Sequence, residues 1–243
     1  MNKRKLSMKL EITNFKMISI VIPIYQASKS INELNLELNN FFNKKKYTYE
    51  IIYVDDCSND SSWQKIKAIT NTNSCVRGIK LKKNYGQHNT LLCGIRNVQG
   101  DITVTMDDDL QHPPKELEKM LNKINQGYDI VYGSSLKESR SIWRNFTSLL
   151  TKKILKQIGG VEITTKISDY RVFRTNLRET FADFKGPDVN IDVLLSWATD
   201  NYSYVDIIHN KRKYDKSNYS IKKLILYGIT MITGFSTFPL KLA

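Results

Sequence analysis

Residues 103–114 read TVTMDDDLQHPP, an apolar run closing on three consecutive carboxylates, Asp107, Asp108 and Asp109, in a 243-residue chain whose formal net charge is +13. Anionic groups this close repel one another unless a positive charge sits among them. Side chains alternate along extended backbone, so Asp107, Asp109 and, if the chain stays extended, Gln111 project to one side and Asp108 to the other. Two carboxylates and an amide oxygen suit Mg2+ or Mn2+, hard cations that keep several waters and are commonly completed by substrate phosphates. An acidic loop whose Asp caps a helix begun at Pro113 and Pro114 accounts for the same residues without a metal.

Two further clusters have the composition of binding loops. In VDDCSNDSS (54–62), Asp55 and Asp56 close a strand, and Ser58, Asn59, Asp60 and Ser61 supply a turn and a helix cap. Two acids at the strand end are more than a cap needs. In KKNYGQHNT (82–90), Gly86 permits close backbone approach and Lys82 and Lys83 suit phosphate, although taken alone the stretch is equally a solvated loop.

The elements that position these clusters alternate in type. MISIVIPI (17–24), YEIIYVDD (49–56), VRGIKL (76–81) and DITVTM (101–106) read as buried strands. Between them ELNLELNNFF (33–42), NDSSWQKIKAI (59–69) and HNTLLCGIRNV (88–98) carry apolar residues at helical spacing. Strand–helix alternation predicts an α/β fold with a mostly parallel sheet flanked by helices. Each polar cluster then lies at a strand's carboxyl end, where open α/β sheets bind ligands. Beyond residue 134 the pattern changes to longer helical stretches, clearest in SIWRNFTSLLTKKILKQI (141–158), with DYRVFR (169–174) and YSYVDIIHNKRKY (202–214) as further strands.

Length and an apolar content of 41% suffice for a sizeable core, so disorder is not the default. Three cysteines, Cys57, Cys75 and Cys93, are odd in number and lack a CxxC pair, which argues against a disulfide framework or a zinc site. The excess of 37 Lys and Arg over 24 Asp and Glu favours anionic partners. No nucleic-acid recognition motif accompanies that charge, so nucleic acid is not expected as a partner. Residues 1–16 read as a basic arm without the apolar core of an export signal. Residues 224–240, LILYGITMITGFSTFPL, are uncharged and bracketed by lysines, yet short and diluted for a spanning helix. They read as a membrane-interfacial helix or a buried C-terminal one.

Taken together, SIVIPIY, YEIIYVDDCSNDSS, NYGQHNTLLCGIRNVQGDITVTMDDDLQHPP, DYRVFR and RKYDKSNYSIKKLILYGITMITGFSTFPLKL resemble, in this order and spacing, the inverting family 2 glycosyltransferases of the GT-A fold. The likeness runs from about residue 17 to 242 and is strongest to the polyprenyl-phosphate sugar transferases, the dolichol-phosphate mannose synthase group and its bacterial undecaprenyl-phosphate relatives. It implies a basic arm over 1–16, a GT-A catalytic domain over 17–219 and an amphipathic, membrane-interfacial C-terminal helix over 220–243. It further implies that Pro23, Tyr25, Asp55 and Asp56, with Asp107 and Asp108, form the nucleotide-sugar site. Asp107, Asp109 and Gln111 would hold Mg2+ or Mn2+ against the donor diphosphate. Arg144 and Ser148, four residues apart and so on one helical face, match positions that bind the lipid phosphate. Arg171 and Arg212 match basic residues near the phosphates, so the implied catalytic set is Asp107, Asp109, Arg144, Arg171 and Arg212. Asp108 is expected to be dispensable, since several relatives carry a small residue there. The chain departs from the family at Gln26 and Ala27, where Asn-Glu is usual, at Ser134 and Ser135, where an Arg is common, and at Asp215 and Asn218, where Gly and Lys are usual.

The implied reaction moves a sugar from a nucleotide diphosphate to a polyprenyl phosphate, with inversion, in cell-envelope glycan synthesis at the cytoplasmic face of the membrane. A phosphate acceptor is already anionic and needs no general base. The alternative is a saccharide-extending enzyme with a hydroxyl acceptor, which does need one, and Asp192 and Asp188 in GPDVNIDVLLSW are the candidates. A degenerate, non-catalytic sugar-nucleotide binder is a third reading, opposed by the intact Asp107, Asp109 and Gln111.

Overall fold

A computed structural model describes residues 15–135, 168–186, 189–210 and 213. Strands β1 (Met17–Ile24), β2 (Thr48–Asp55), β3 (Val76–Lys80) and β4 (Ile102–Thr105) alternate with helices α1 (Ile31–Lys45), α2 (Ser62–Thr72) and α3 (Gln87–Arg96). A 3-10 turn (Pro114–Glu116), helix α4 (Leu117–Asn125), strand β5 (Ile130–Ser135), strand β6 (Arg171–Arg174), a second 3-10 turn (Thr175–Phe181), helix α5 (Ile191–Ala198) and strand β7 (Tyr202–Ile207) follow. The seven strands form one sheet in the order β3-β2-β1-β4-β6-β5-β7. β6 runs antiparallel to both β4 and β5, while the other pairings are parallel.

Why these residues make this sheet follows from burial on both faces. Ile18, Ile20, Ile22 and Ile24 of β1 face one core with α1 and α4, and Val21 faces a second core with α3 and α5. Strands covered on two sides read as continuous β-branched runs, and each such side chain adds about 1.5–3 kcal/mol on burial. Gly94 lets α3 lie directly on β1 and β2, because an added Cβ would collide with Val21 and Val54. The strand order reverses at β1, which pairs with β2 on one side and β4 on the other. Their carboxyl ends therefore open a crevice at that switch point.

Two expectations change. The strand read over 202–214 ends at Ile207 among the described residues. The extended run through Asp107–Gln111 does not form: β4 stops at Thr105 and Leu110 takes φ 61, a left-handed turn that breaks the alternation. The helical stretch read over 141–158 lies outside the described residues, as does the C-terminal segment 220–243.

Candidate active site

The crevice is built by three loops. After β1, Gln26 takes φ 55 and its N–H donates to Ser58 Oγ at 2.9 Å; Ala27 N–H donates to Ser62 Oγ and Ser28 N–H to Asp60 Oδ2. The serines and Asp60 of VDDCSNDSS thus hold the β1 loop in place. Tyr25, 45% exposed, is presented to solvent beside Pro23.

After β2 the two acids separate. Asp56 accepts Tyr85 N–H at 2.7 Å on Oδ1 and Gly86 N–H at 2.9 Å on Oδ2, which ties the 82–90 loop to the strand end. Gly86, with φ 87, starts α3. Asp55 is fully buried and neither carboxylate oxygen has a hydrogen-bond partner among the described residues.

After β4 the acidic triplet meets β6. Thr105 pairs with Arg171 in the antiparallel ladder, and just past its end Asp169 comes near enough to Asp107 for its charge to act on it. Asp107 Oδ1 accepts Gln87 Nε2 at 2.9 Å. Burial first, then the charges of Asp169, Asp109 and Asp108, push the Asp107 carboxyl well above its usual range, and Arg171 opposes them. Asp109 Oδ1 accepts the Gln111 N–H at 3.0 Å across the turn, which seats Gln111 next to Asp109 by a local hydrogen bond and not by strand alternation. Gln111 Nε2 donates to the Asn210 carbonyl at 3.3 Å.

Arg171 is fully buried beneath this surface. Its Nη2 donates to Asp169 Oδ1 at 3.0 Å and Asp192 Oδ2 at 3.3 Å, and its Nε lies 3.2 Å from Asp192 Oδ1. Burial depresses the guanidinium pKa, but Asp192 and Asp169 outweigh it and hold the group charged. Asp192 stands in the first turn of α5, whose start Asn190 caps by accepting the Asp192 and Val193 N–H groups. Burial raises the Asp192 carboxyl, while Arg171, His88 and a hydrogen bond from Tyr132 lower it. His88 accepts the Ile191 N–H on Nδ1 at 3.3 Å, and burial pushes its pKa down.

The structure therefore brings Asp107, Asp108, Asp109, Gln111 and Arg171 together at the end of β4, with Asp55 and Asp56 at the neighbouring β2 end and Pro23 and Tyr25 at β1. Arg144, Ser148, Asp188 and Arg212 lie outside the described residues. Sequence reading missed Gln87, Asp169, His88 and Tyr132 as neighbours of the acids. Gln87 sat inside a singled-out loop, so its signal was available; the meeting of Asp169 with Asp107 needs the antiparallel ladder and had none. No group of three or more His, Cys, Asp or Glu side chains is arranged to hold a metal ion among the described residues. The surplus of negative charge around Asp107 nonetheless fits a divalent cation, for which Asp107, Asp109 and Gln111 would give part of an oxygen shell.

A family model described as glycosyl transferase family 2 matches residues 19–181, more than half of the chain and all of the crevice loops after β1, β2 and β4. The chain belongs to glycosyl transferase family 2. It is a glycosyltransferase with the GT-A fold, a mixed, mostly parallel sheet flanked by helices. This family 2 enzyme is 31% identical over 94% of its length to the undecaprenyl-phosphate 4-deoxy-4-formamido-L-arabinose transferase of Shewanella sediminis, covering 70% of that protein. It is 29% identical over 93% of its length to the enzyme of the same name from Serratia proteamaculans, again covering 70%. Among solved structures, glucosyl-3-phosphoglycerate synthase from Mycobacterium tuberculosis, in complex with Mn2+, uridine diphosphate and phosphoglyceric acid, superposes with a TM-score of 0.66 at 18% identity, over 90% of this chain and 77% of that one. Mannosyl-3-phosphoglycerate synthase from Rubrobacter xylanophilus gives 0.64 at 13% identity, over 90% and 72%.

Proposed function

We propose that this glycosyltransferase moves a sugar from a nucleotide-diphosphate donor to a polyprenyl phosphate, with inversion at the anomeric carbon, in cell-envelope glycan synthesis at the cytoplasmic face of the membrane. The catalytic domain would span 17–219, flanked by the basic arm and an interfacial C-terminal helix. One observation carries the choice of acceptor: Asp192, the described candidate for a general base, is tied to the buried Arg171 by two contacts of 3.2 and 3.3 Å. A carboxylate held in that ion pair is not free to take a hydroxyl proton, and a phosphate acceptor requires no base. The names of the relatives at about 30% identity agree with that acceptor.

In this reading Pro23, Tyr25, Asp55 and Asp56, with Asp108, bind the nucleotide sugar. Asp107, Asp109 and Gln111 would hold Mg2+ or Mn2+, which on binding neutralises charge building on the leaving diphosphate. Arg171 sits beneath these acids, tied to Asp169 and Asp192, and its charge opposes the upward push on the Asp107 carboxyl. Arg144, Ser148 and Arg212 are assigned to the acceptor and donor phosphates on their sequence positions alone. Positioning and electrostatics supply most of the acceleration.

The test offers undecaprenyl phosphate and a panel of nucleotide sugars to the purified protein with Mg2+ or Mn2+, then with EDTA. A lipid-linked sugar that vanishes on chelation is expected; a chelation-insensitive product would sink the metal assignment. The raised Asp192 carboxyl favours a second reading, base-assisted transfer to a saccharide hydroxyl. Transfer to a saccharide acceptor, with no lipid-linked product from any donor, would establish that reading instead.

A further inference from the structure

Behind the turn at Leu110 the chain is fastened to a distant segment at three points. Asn210 N–H donates to the Gln111 carbonyl at 2.9 Å, and Gln111 Nε2 donates back to the Asn210 carbonyl at 3.3 Å. The His112 ring, buried against Tyr170, meets the His209 ring edge to face with centroids 5.0 Å apart. Glu116, 3% exposed at the end of the 3-10 turn, accepts the Ile208 N–H on Oε2 at 3.2 Å and also takes Lys119 Nζ. Residues 208–210 leave β7 directly after the buried Ile207, so the segment is held at one end by the sheet and at the other by these contacts.

We propose that residues 208–210 form a clip that orients the Gln111 amide for cation binding, and that Glu116 is the positioning residue that holds the clip. The argument starts from the asymmetry of a primary amide: a cation accepts its oxygen and is repelled by its NH2 group. The torsion that sets which end faces the site is soft. The Asn210 carbonyl settles it, because the opposite orientation would place Oε1 against that carbonyl oxygen, two acceptors in contact. Nε2 is thereby committed to Asn210 and Oε1 remains the ligand end. Exposed Asn210 cannot hold this register unaided; the part-buried bond from Ile208 N–H to Glu116 and the His112–His209 contact do. Residues that orient a metal ligand in this manner commonly change metal affinity by about 10–100-fold when removed.

This inference rests on the assignment of Asp107, Asp109 and Gln111 to a cation, and the experiment separates the two. Mn2+ alone is titrated into the full chain while free Mn2+ is followed by its paramagnetic resonance signal. Gln111→Ala tests the ligand, and retention of wild-type affinity would overturn the cation assignment and the clip with it. Given a loss there, Glu116→Ala is expected to weaken Mn2+ by about tenfold or more. Glu116→Gln, which keeps an oxygen for the Ile208 N–H, is expected to restore most of it. Glu118→Ala, which removes only a surface pairing with Lys45, should bind as wild type does. A positioning role also requires that Glu116→Ala add nothing in the Gln111→Ala background. Wild-type affinity in Glu116→Ala, or a further loss in the double variant, overturns the proposal. Should Glu116→Ala fail to fold, His209→Ala decides: a several-fold loss supports the clip and unchanged affinity overturns it.

Discussion

Four carboxylates, Asp107, Asp108, Asp109 and Asp169, bear on one another around Asp107, and the buried Arg171 is the cation that opposes them. Their contributions differ. Asp107 is desolvated and its folded-state pKa is raised, so ionised Asp107 costs stability above that pKa, a cost that fades as pH falls through it. Asp107→Asn keeps an oxygen for Gln87 Nε2 while removing the charge, and is expected to raise the melting temperature at neutral pH, by about 2–4 °C for each kcal/mol relieved. The same change should cut transfer by about 100-fold or more, since a carboxylate proposed to hold the cation is lost. Stability gained where function is lost is the signature of a site strained for its task. Asp108→Ala, in contrast, is expected to leave transfer within about threefold of wild type, because Asp108 is not assigned to the cation and its charge adds to the repulsion on Asp107. Thermal melts and initial rates on the three proteins check both; an Asp107→Asn protein that melts lower, or an Asp108→Ala protein as inactive as it, would contradict this account.

Helix α3 and the start of α5 meet at His88, whose Nδ1 takes the Ile191 N–H and which faces Asp192, Arg171 and Asp169. Burial, aided by Arg171, lowers its pKa below the usual 6.5 against the pull of the two aspartates. The neutral ring is thus the folded form, and stability should fall as pH drops below about 6.5, the unfolded value, until the folded value is reached. Melting temperatures from pH 8 downward should show that loss in the wild type and a shallower one in His88→Asn, which retains an acceptor without titrating; equal slopes would dismiss the role of His88. Elements of this kind were unevenly legible. β1 to β4 announce themselves because burial on both faces demands β-branched runs, and the polar residues after them mark the carboxyl ends. The helical spacing of Leu117, Met120, Leu121 and Ile124 in α4 is present in the sequence but overshadowed by the acidic loop before it. β6 is four residues long, and nothing local in DYRVFR states that it runs antiparallel. That direction is what faces Asp169 toward Asp107 and carries Arg171 inward to Asp192, 21 residues away. The residues proposed to hold the cation were therefore nameable from residue type, whereas the way Leu110 turns the chain and Asn210 receives Gln111 required the tertiary structure.

Across the whole molecule, a net charge of +13 coexists with an acidic crevice. The NKKK run at 43–46, at the end of α1, is one basic site, with Lys45 paired to Glu118 and exposed Lys44 and Lys46 beside it. No helix among the described residues is long and apolar enough to cross a membrane. A polyprenyl phosphate acceptor nonetheless has to be met where its lipid tail is buried, and Lys and Arg near an anionic bilayer contribute about 1 kcal/mol each. The uncharged run 224–240, bracketed by Lys222, Lys223 and Lys241, would add apolar burial at the same interface. Sedimentation with vesicles should therefore show binding to membranes containing anionic phospholipid and little to purely zwitterionic ones. Because exposed charges are screened as the Debye length shrinks from about 10 Å near 0.1 M salt to about 3 Å near 1 M, binding should weaken steeply across that range. A residue of salt-resistant binding would measure the apolar contribution of the C-terminal run, and equal binding to both kinds of vesicle at all salt concentrations would remove electrostatics from the account.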